Sequence, residues 1–205
     1  MNQVPTVFVL DDDVSFLQAV DRLLRAEHFV TRTFGSARQF LEQHDPTTPG
    51  CLLTDLIMPD MTGLELQREL LERGCVRPIV FITGQGDMNT AVEGMRAGAV
   101  SFLPKPVSRG PLVDCLREGL ARDAAIRAAR CETQRVASLL ASLTPREREV
   151  LELVATGLLN KQIAAQLGTA EKTIKVHRGR LMQKMGVKSA AALVQVLNHV
   201  EPMAL

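Results

Sequence analysis

The chain has 205 residues, 46% of them apolar and 23% charged, with a formal net charge of +1. That is long for one domain, comfortable for two, and balanced as in an ordinary soluble protein. No apolar run is long enough to span a bilayer and the segment MNQVPTV lacks the basic and apolar regions of a signal peptide, so a cytoplasmic protein with no membrane partner is expected.

Along the first 105 residues, short apolar runs alternate with segments of helical spacing. The runs Val7–Leu10, Phe29–Thr33, Cys51–Thr54, Ile79–Thr83 and Val100–Leu103 are bounded by polar residues, Gly or Pro and predict strands. Helical patterns near residues 14–26, 36–43, 63–72 and 88–97 fall between them. Such alternation predicts βαβ units, hence an α/β domain whose parallel sheet is covered by helices on both faces. From Pro111 no strand pattern returns. Residues 111–138, rich in Ala, Leu, Arg and Glu, predict one long helix that ends the first domain and continues as a linker. Thr144, Pro145 and Glu147 then supply an N-cap, a first-turn proline and a capping box, the start of a second, all-α domain. Further helices are expected at about 160–167, 171–184 and 189–198. The expected division is a first domain over 1–120, a helical linker over 121–141 and a second domain over 142–205.

Charge divides the same way. Residues 1–110 sum to −4, residues 111–141 to +1 and residues 142–205 to +4, so only the C-terminal part favours a polyanion. All seven Phe lie between Phe8 and Phe102. Cys51, Cys75, Cys115 and Cys131 show no CxxC pairing and are expected to be free thiols.

Asp11, Asp12 and Asp13 follow the first strand directly, and Asp55 follows the third. Ligands of an open parallel sheet bind outside the carboxyl ends of its strands, where these carboxylates would meet. Clustered carboxylates repel one another. A hard divalent cation such as Mg²⁺ relieves that repulsion and keeps positions open for water or phosphate. Thr83 ends another strand and Lys105 follows the last, adding a hydroxyl and an ammonium. A nucleophile, a metal and a charge-offsetting cation are the equipment for phosphoryl transfer to a carboxylate. Taken singly these residues read as a solvated acidic turn, a helix cap and a surface lysine; their convergence from four strand ends favours the site.

In order and spacing, VFVLDDD, LLTDLIMPDMTG, PIVFITGQGD and SFLPKP resemble the receiver domain of two-component response regulators over residues 5 to about 120. The resemblance implies a doubly wound, five-stranded sheet of flavodoxin/CheY type and a sensor histidine kinase that phosphorylates Asp55. It implies Mg²⁺ held by Asp11, Asp12, Asp55 and the backbone carbonyl of Ile57. Thr83 and Lys105 would contact the phosphoryl oxygens, and the Lys105–Pro106 bond would be cis. Phe102 would be the switch residue, turning inward behind Thr83. The face around residues 88–110 would then change and pair with a second copy, giving a homodimer. Ile57 and Gln85 fall where the family tunes dephosphorylation, and Asp13 receives no role.

In the second domain, residues 160–167, a Gly168-Thr169-Ala170 turn and residues 171–185 read as helix, turn, helix. Ile163, Ala164 and Leu167, with Ile174, Leu181 and Met185, supply the buried faces, and Lys172, Lys175, Arg178 and Lys184 a cationic one. A cationic helix presented by such a turn fits the major groove of double-stranded DNA, although a single basic helix is more often merely solvated. LTPREREVLELVATGLLNKQIAAQLGTAEKTIKVHRGRLMQKMGVKS resembles the LuxR-type helix-turn-helix of the FixJ/NarL regulators over residues 143 to about 198. Within that group the chain looks closest to regulators of aromatic-compound catabolism. The resemblance puts Lys172, Lys175, Val176 and Arg178 toward DNA, with Lys175 and Val176 at base edges and Thr173, His177 and Lys161 at phosphates. Ala170 stands where the family often has a capping Ser, so Thr169 is the alternative cap, and Gly179 replaces a lysine of some relatives.

The expected protein is a phosphorylation-controlled transcriptional regulator, an activator that binds paired half-sites as a dimer and works with RNA polymerase. It would be a phosphoacceptor catalysing only its own phosphorylation and dephosphorylation. Two rivals compete: a haloacid-dehalogenase-like phosphatase using Asp11 and Asp13 as a D-x-D pair, and a DNA-binding protein whose receiver only dimerises.

Overall fold

The computed structural model describes residues 4–84 and 88–198, without the side chains of residues 88–91 and 198. Five parallel strands, β1 (Thr6–Leu10), β2 (Val30–Phe34), β3 (Gly50–Asp55), β4 (Ile79–Thr83) and β5 (Ser101–Pro104), form a sheet in the order β2-β1-β3-β4-β5. The helices between them are α1 (Val14–Ala26), α2 (Ala37–Gln43), α3 (Gly63–Glu72) and α4 (Met88–Arg96), and α5 (Arg109–Ala141) follows β5.

Each strand turns alternate side chains to opposite faces, and the sheet consequently has two cores. On one face Phe8, Leu10, Leu52 and Phe81 pack with Phe40 of α2 and Leu66 and Leu70 of α3. On the other Val7, Val9, Leu53, Val80 and Ile82 pack with Leu17, Val20 and Leu24 of α1 and Leu112 and Leu116 of α5. The outer strand β2 runs from Val30 rather than from Phe29. Phe29 packs on the α1–α5 core instead, while Phe34 closes the strand in the opposite core.

Helix starts follow local chemistry. Asp13 caps α1, its Oδ1 accepting from the N–H groups of Ser15 (2.8 Å) and Phe16 (3.2 Å). Thr62 and Glu65 form a capping box at α3. Pro111 is accommodated in the first turn of α5, where its missing N–H has no helical partner to lose.

The chain divides into two compact units, Met1–Arg127 and Ala128–Leu205, and α5 contributes to both. The stretch expected as a linker is therefore shared between the units. Asp123 and Arg127 bind the loop before β3, while Leu139 and Leu140 pack on the core of the second unit. That unit adds α6 (Pro145–Ala155), α7 (Asn160–Gln166), α8 (Glu171–Met185) and α9 (Ala190–Asn198) around Val150, Ile163, Ile174, Leu181 and Leu193. The Thr144–Glu147 capping box is formed, with Pro145 in the first turn of α6. Gly168, at φ +63°, ends α7 in the left-handed conformation that glycine adopts without penalty. All four cysteines are free. Among the described residues no helix is long and apolar enough to cross a membrane.

Candidate functional site

The chain leaves β1 toward β2 on one side and enters β3 on the other, so a crevice opens where these two central strands end. Leu10 pairs with Thr54 in register, which brings Asp11 and Asp55 to the same edge. The Asp11 carboxylate is buried and Oδ1 accepts from the N–H of Asp13 at 2.9 Å. Asp12 is exposed, and one carboxylate oxygen from each of Asp11, Asp12 and Asp55 lies within 4.8 Å of the others. Lys105 Nζ donates to Asp11 Oδ2 at 2.6 Å and to Asp55 Oδ2 at 2.7 Å, with the Phe16 ring 4.4 Å from the ammonium.

Burial drives the Asp11 carboxyl above its ordinary pKa, against the opposing hydrogen bonds from Lys105 and Asp13. Burial also works to lower the pKa of Lys105, but its hydrogen bonds to Asp11 and Asp55 prevail and raise it. The ammonium thus stays charged and offsets two carboxylates at once. Its backbone is set by an N–H donated to Thr83 O at 2.7 Å, and the Lys105–Pro106 bond is cis.

In the second unit, α8 buries Ile174, Leu181 and Met185 and exposes Lys172, Thr173, Lys175 and Val176 along one stretch. Lys161 of α7 is exposed as well.

Residues 7–117 match the family of response regulator receiver domains, and residues 141–197 match the luxR family of bacterial regulatory proteins. The chain is a two-component response regulator with a LuxR-type DNA-binding domain. Nodulation protein W of Bradyrhizobium diazoefficiens is 42% identical over 202 residues, covering 95% of this chain and 89% of that protein. The response regulator protein TodT of Pseudomonas putida is 38% identical over 200 residues, covering 98% and 88%. Among solved structures, the response regulator StyR superposes with a TM-score of 0.88 at 47% identity, covering 95% of this chain and 98% of that one. Full-length FixJ from B. japonicum gives a TM-score of 0.59 at 32% identity, covering 98% and 100%. Both matched families are regulatory, and this response regulator is a regulatory protein.

Within the receiver, Asp11, Asp12, Asp55 and Lys105 come together. Thr83 ends β4, half-buried, and pairs in register with Pro104. Ile57 is 73% exposed and donates its N–H to Asp55 Oδ1 at 3.3 Å. Phe102 is partly buried against Phe81. Gln85 lies outside the described residues. Asp13, half of the D-x-D pair in the phosphatase reading, is engaged as the cap of α1.

In the DNA-binding domain two expectations need correction. Lys184, expected on the cationic face, is half-buried and paired, donating to Glu147 Oε2 at 2.6 Å and Ser142 O at 2.9 Å. Thr169 does not cap α8: Ala170 is the N-cap residue and no side chain bonds there. Arg178 is partly buried, Nη1 donating to Asn160 Oδ1 at 2.9 Å, and His177 is partly buried too.

One polar cluster escaped the sequence reading. At the opposite end of β3 from Asp55, buried Asp123 accepts from the Gly50 N–H (2.8 Å) and from Arg127 Nε (2.8 Å). Arg127 also donates to the carbonyls of Pro46, Thr47 and Thr48 at 2.8–3.1 Å. Arg77, 6% exposed, donates to Gly50 O and Thr48 O and lies over the Phe8 ring. Burial, helped by Arg77, depresses the pKa of His44 beside it to about 4, leaving a neutral acceptor. Buried charges across such sequence distances carry no local signature.

Proposed function

We propose that Asp55 accepts a phosphoryl group from the phosphohistidine of a sensor histidine kinase, and that this charge controls DNA binding by the C-terminal domain. The observation that carries the reading is Lys105 Nζ held between the buried Asp11 and Asp55, with the Asp12 carboxylate alongside. In the transfer an Asp55 carboxylate oxygen bonds to phosphorus as the phosphorus–nitrogen bond to the donor histidine breaks, leaving an acyl phosphate and a neutral imidazole after proton uptake. Lys105 offsets charge on the transferring group, and Thr83 donates its hydroxyl to a phosphoryl oxygen. An open apolar hollow of about 570 Å³, lined by Phe16, Ala19, Leu23 and Val107 beside Lys105, suits a protein donor approaching the site.

The all-oxygen donor set fits Mg²⁺. Asp11, Asp12 and Asp55 would hold it, with the Ile57 carbonyl as a fourth ligand, and bound there it would neutralise charge on the phosphoryl oxygens. Without a metal, Lys105 fills part of that need. Its own phosphorylation from small donors and its own dephosphorylation are the only chemistry the chain catalyses.

Phosphorylation draws Thr83 inward, holds Phe102 in its inward position and promotes a homodimer, whose two DNA-binding domains engage paired half-sites and recruit RNA polymerase as an activator. Linking two small modules raises affinity beyond what one alone supplies. Lys175 and Val176 read base edges. Lys172 and Arg178 also face the DNA, and Lys161, Thr173 and His177 hold phosphates. Residues 1–120 are the receiver and 142–205 the DNA-binding domain, joined through the helical stretch 121–141 whose ends each pack on one of them, and the protein works in the cytoplasm.

The test is acyl-phosphate labelling of the full chain by acetyl phosphate with Mg²⁺, mapped by mass spectrometry. Asp55 should carry the label and Asp55→Ala should abolish it while the protein stays folded. Stable labelling of that variant defeats the assignment, and DNA affinity indifferent to labelling favours a receiver that only dimerises.

A further inference from the structure

The Phe81 and Phe102 rings stack with centroids 4.7 Å apart and planes 29° from parallel. The β4–β5 register causes this by setting the two residues side by side on one sheet face. A glycine bounds the pair at each end. A methyl group on Gly63, the first residue of α3, would stand 2.7 Å from the Asp55 carbonyl oxygen and 2.8 Å from the edge of Phe81. One on Gly94, in α4, would stand 2.5 Å from the tip of Phe102 and 3.1 Å from Leu64. Both gaps are well inside van der Waals contact, so a Cβ at either place must displace a ring or a helix.

Gly94 has ordinary right-handed helical backbone in mid-helix, where alanine is the better residue. Backbone geometry therefore gives no reason for a glycine there. The remaining reason is the room it leaves for the ring.

We propose that Gly94 is the seat of Phe102, a positioning residue that lets the ring lie inward on Phe81 and so couples α4 to the end of β3 that carries Asp55. The proposal rests on the reading of Asp55 as the phosphoacceptor and deepens it. In that reading the phosphorylated state is the one with Phe102 inward. Linkage then requires that a change driving the ring outward also disfavours the acyl phosphate at equilibrium.

The test compares the full-length chain with its G94A, F102L and F102L/G94A variants, each incubated with acetyl phosphate and Mg²⁺. Steady-state phosphorylation of Asp55 is read by intact mass and peptide mapping, and folding by thermal melting. G94A should lower the phosphorylated fraction severalfold. Against F102L, whose shorter side chain leaves the seat empty, adding G94A should change nothing. An equal loss in both backgrounds, or none in either, overturns the seat. Should G94A alone fail to fold, a folded F102L/G94A chain that labels like F102L supports the proposal, and a double variant that also fails overturns it. An unlabelled Asp55 in the unmodified chain would bring down the phosphoacceptor reading first, whereas normal labelling with no interplay between the two positions defeats only the seat.

Discussion

Glu147 Oε2 accepts a 2.6 Å hydrogen bond from Lys184 Nζ, tying the first turn of α6 to the end of α8. The same carboxylate oxygen accepts from the N–H of Thr144 at 2.9 Å, so one acidic side chain closes the cap of α6 and ties α8 to it.

Lys184 above all, with the Thr144 N–H, holds the Glu147 carboxyl at about 2, below its ordinary 4.5, while burial opposes them weakly. A pKa lowered by folding means that the unfolded chain binds the proton first as pH falls. The contribution is therefore complete above about 4.5 and disappears as pH drops toward 2. The expected outcome is a melting temperature of the DNA-binding unit that falls across that window. Lys184→Met should lower melting at neutral pH and flatten the acid-side decline. Circular dichroism melts of the two chains between pH 2 and pH 7 check this, and parallel curves would rule the pair out as the cause.

The Lys105 ammonium occupies the carboxylate pair that Mg²⁺ would neutralise. Replacing it with an uncharged side chain removes a repelling charge from the metal and leaves Asp11 and Asp55 without their partner. Lys105→Met should therefore bind Mg²⁺ more tightly, by about tenfold or about 1.4 kcal/mol, while handling acyl phosphate less well. Calorimetric titration with MgCl₂ measures the first effect and acetyl phosphate labelling the second. Weaker metal binding in the variant would show that Lys105 is not a competitor.

Arg127 binds three loop carbonyls and buried Asp123, and so holds α5 to the receiver past residue 120. Arg127→Ala leaves Asp123 with the Gly50 N–H alone among these partners, at a cost of about 1–3 kcal/mol. Urea unfolding should show the loss, and amide exchange should quicken through residues 120–130. Unchanged exchange there would mean that apolar contacts of α5 suffice.

On α8, Lys175 is exposed whereas Arg178 is tied to Asn160. Lys175→Ala should weaken binding to a specific site by about 1–3 kcal/mol and much less to unrelated DNA, as expected of a base-edge contact. Arg178→Ala should lower both the DNA affinity and the melting temperature of the domain, because it removes the α7–α8 tie. Equal losses on specific and unrelated DNA would make Lys175 a phosphate contact, with a reduced salt slope.

The α/β alternation, the start of α6 and the carboxylates at two strand ends were all legible in the chain. Each is written in neighbouring residues: alternating apolar runs for strands, Thr144 with Pro145 and Glu147 for a cap, Asp11, Asp12 and Asp55 directly after apolar segments. Such signals work because hydrogen bonding and side-chain direction repeat over a few residues. The tertiary structure alone decided that Lys184 serves Glu147, 37 positions away, that Arg127 reaches a loop some 80 positions earlier, and that Gly94 makes room for Phe102. Helical spacing can say that a lysine leaves the buried face. Whether that lysine meets solvent, DNA or a carboxylate depends on which distant element folds against it, and that follows only from packing in three dimensions.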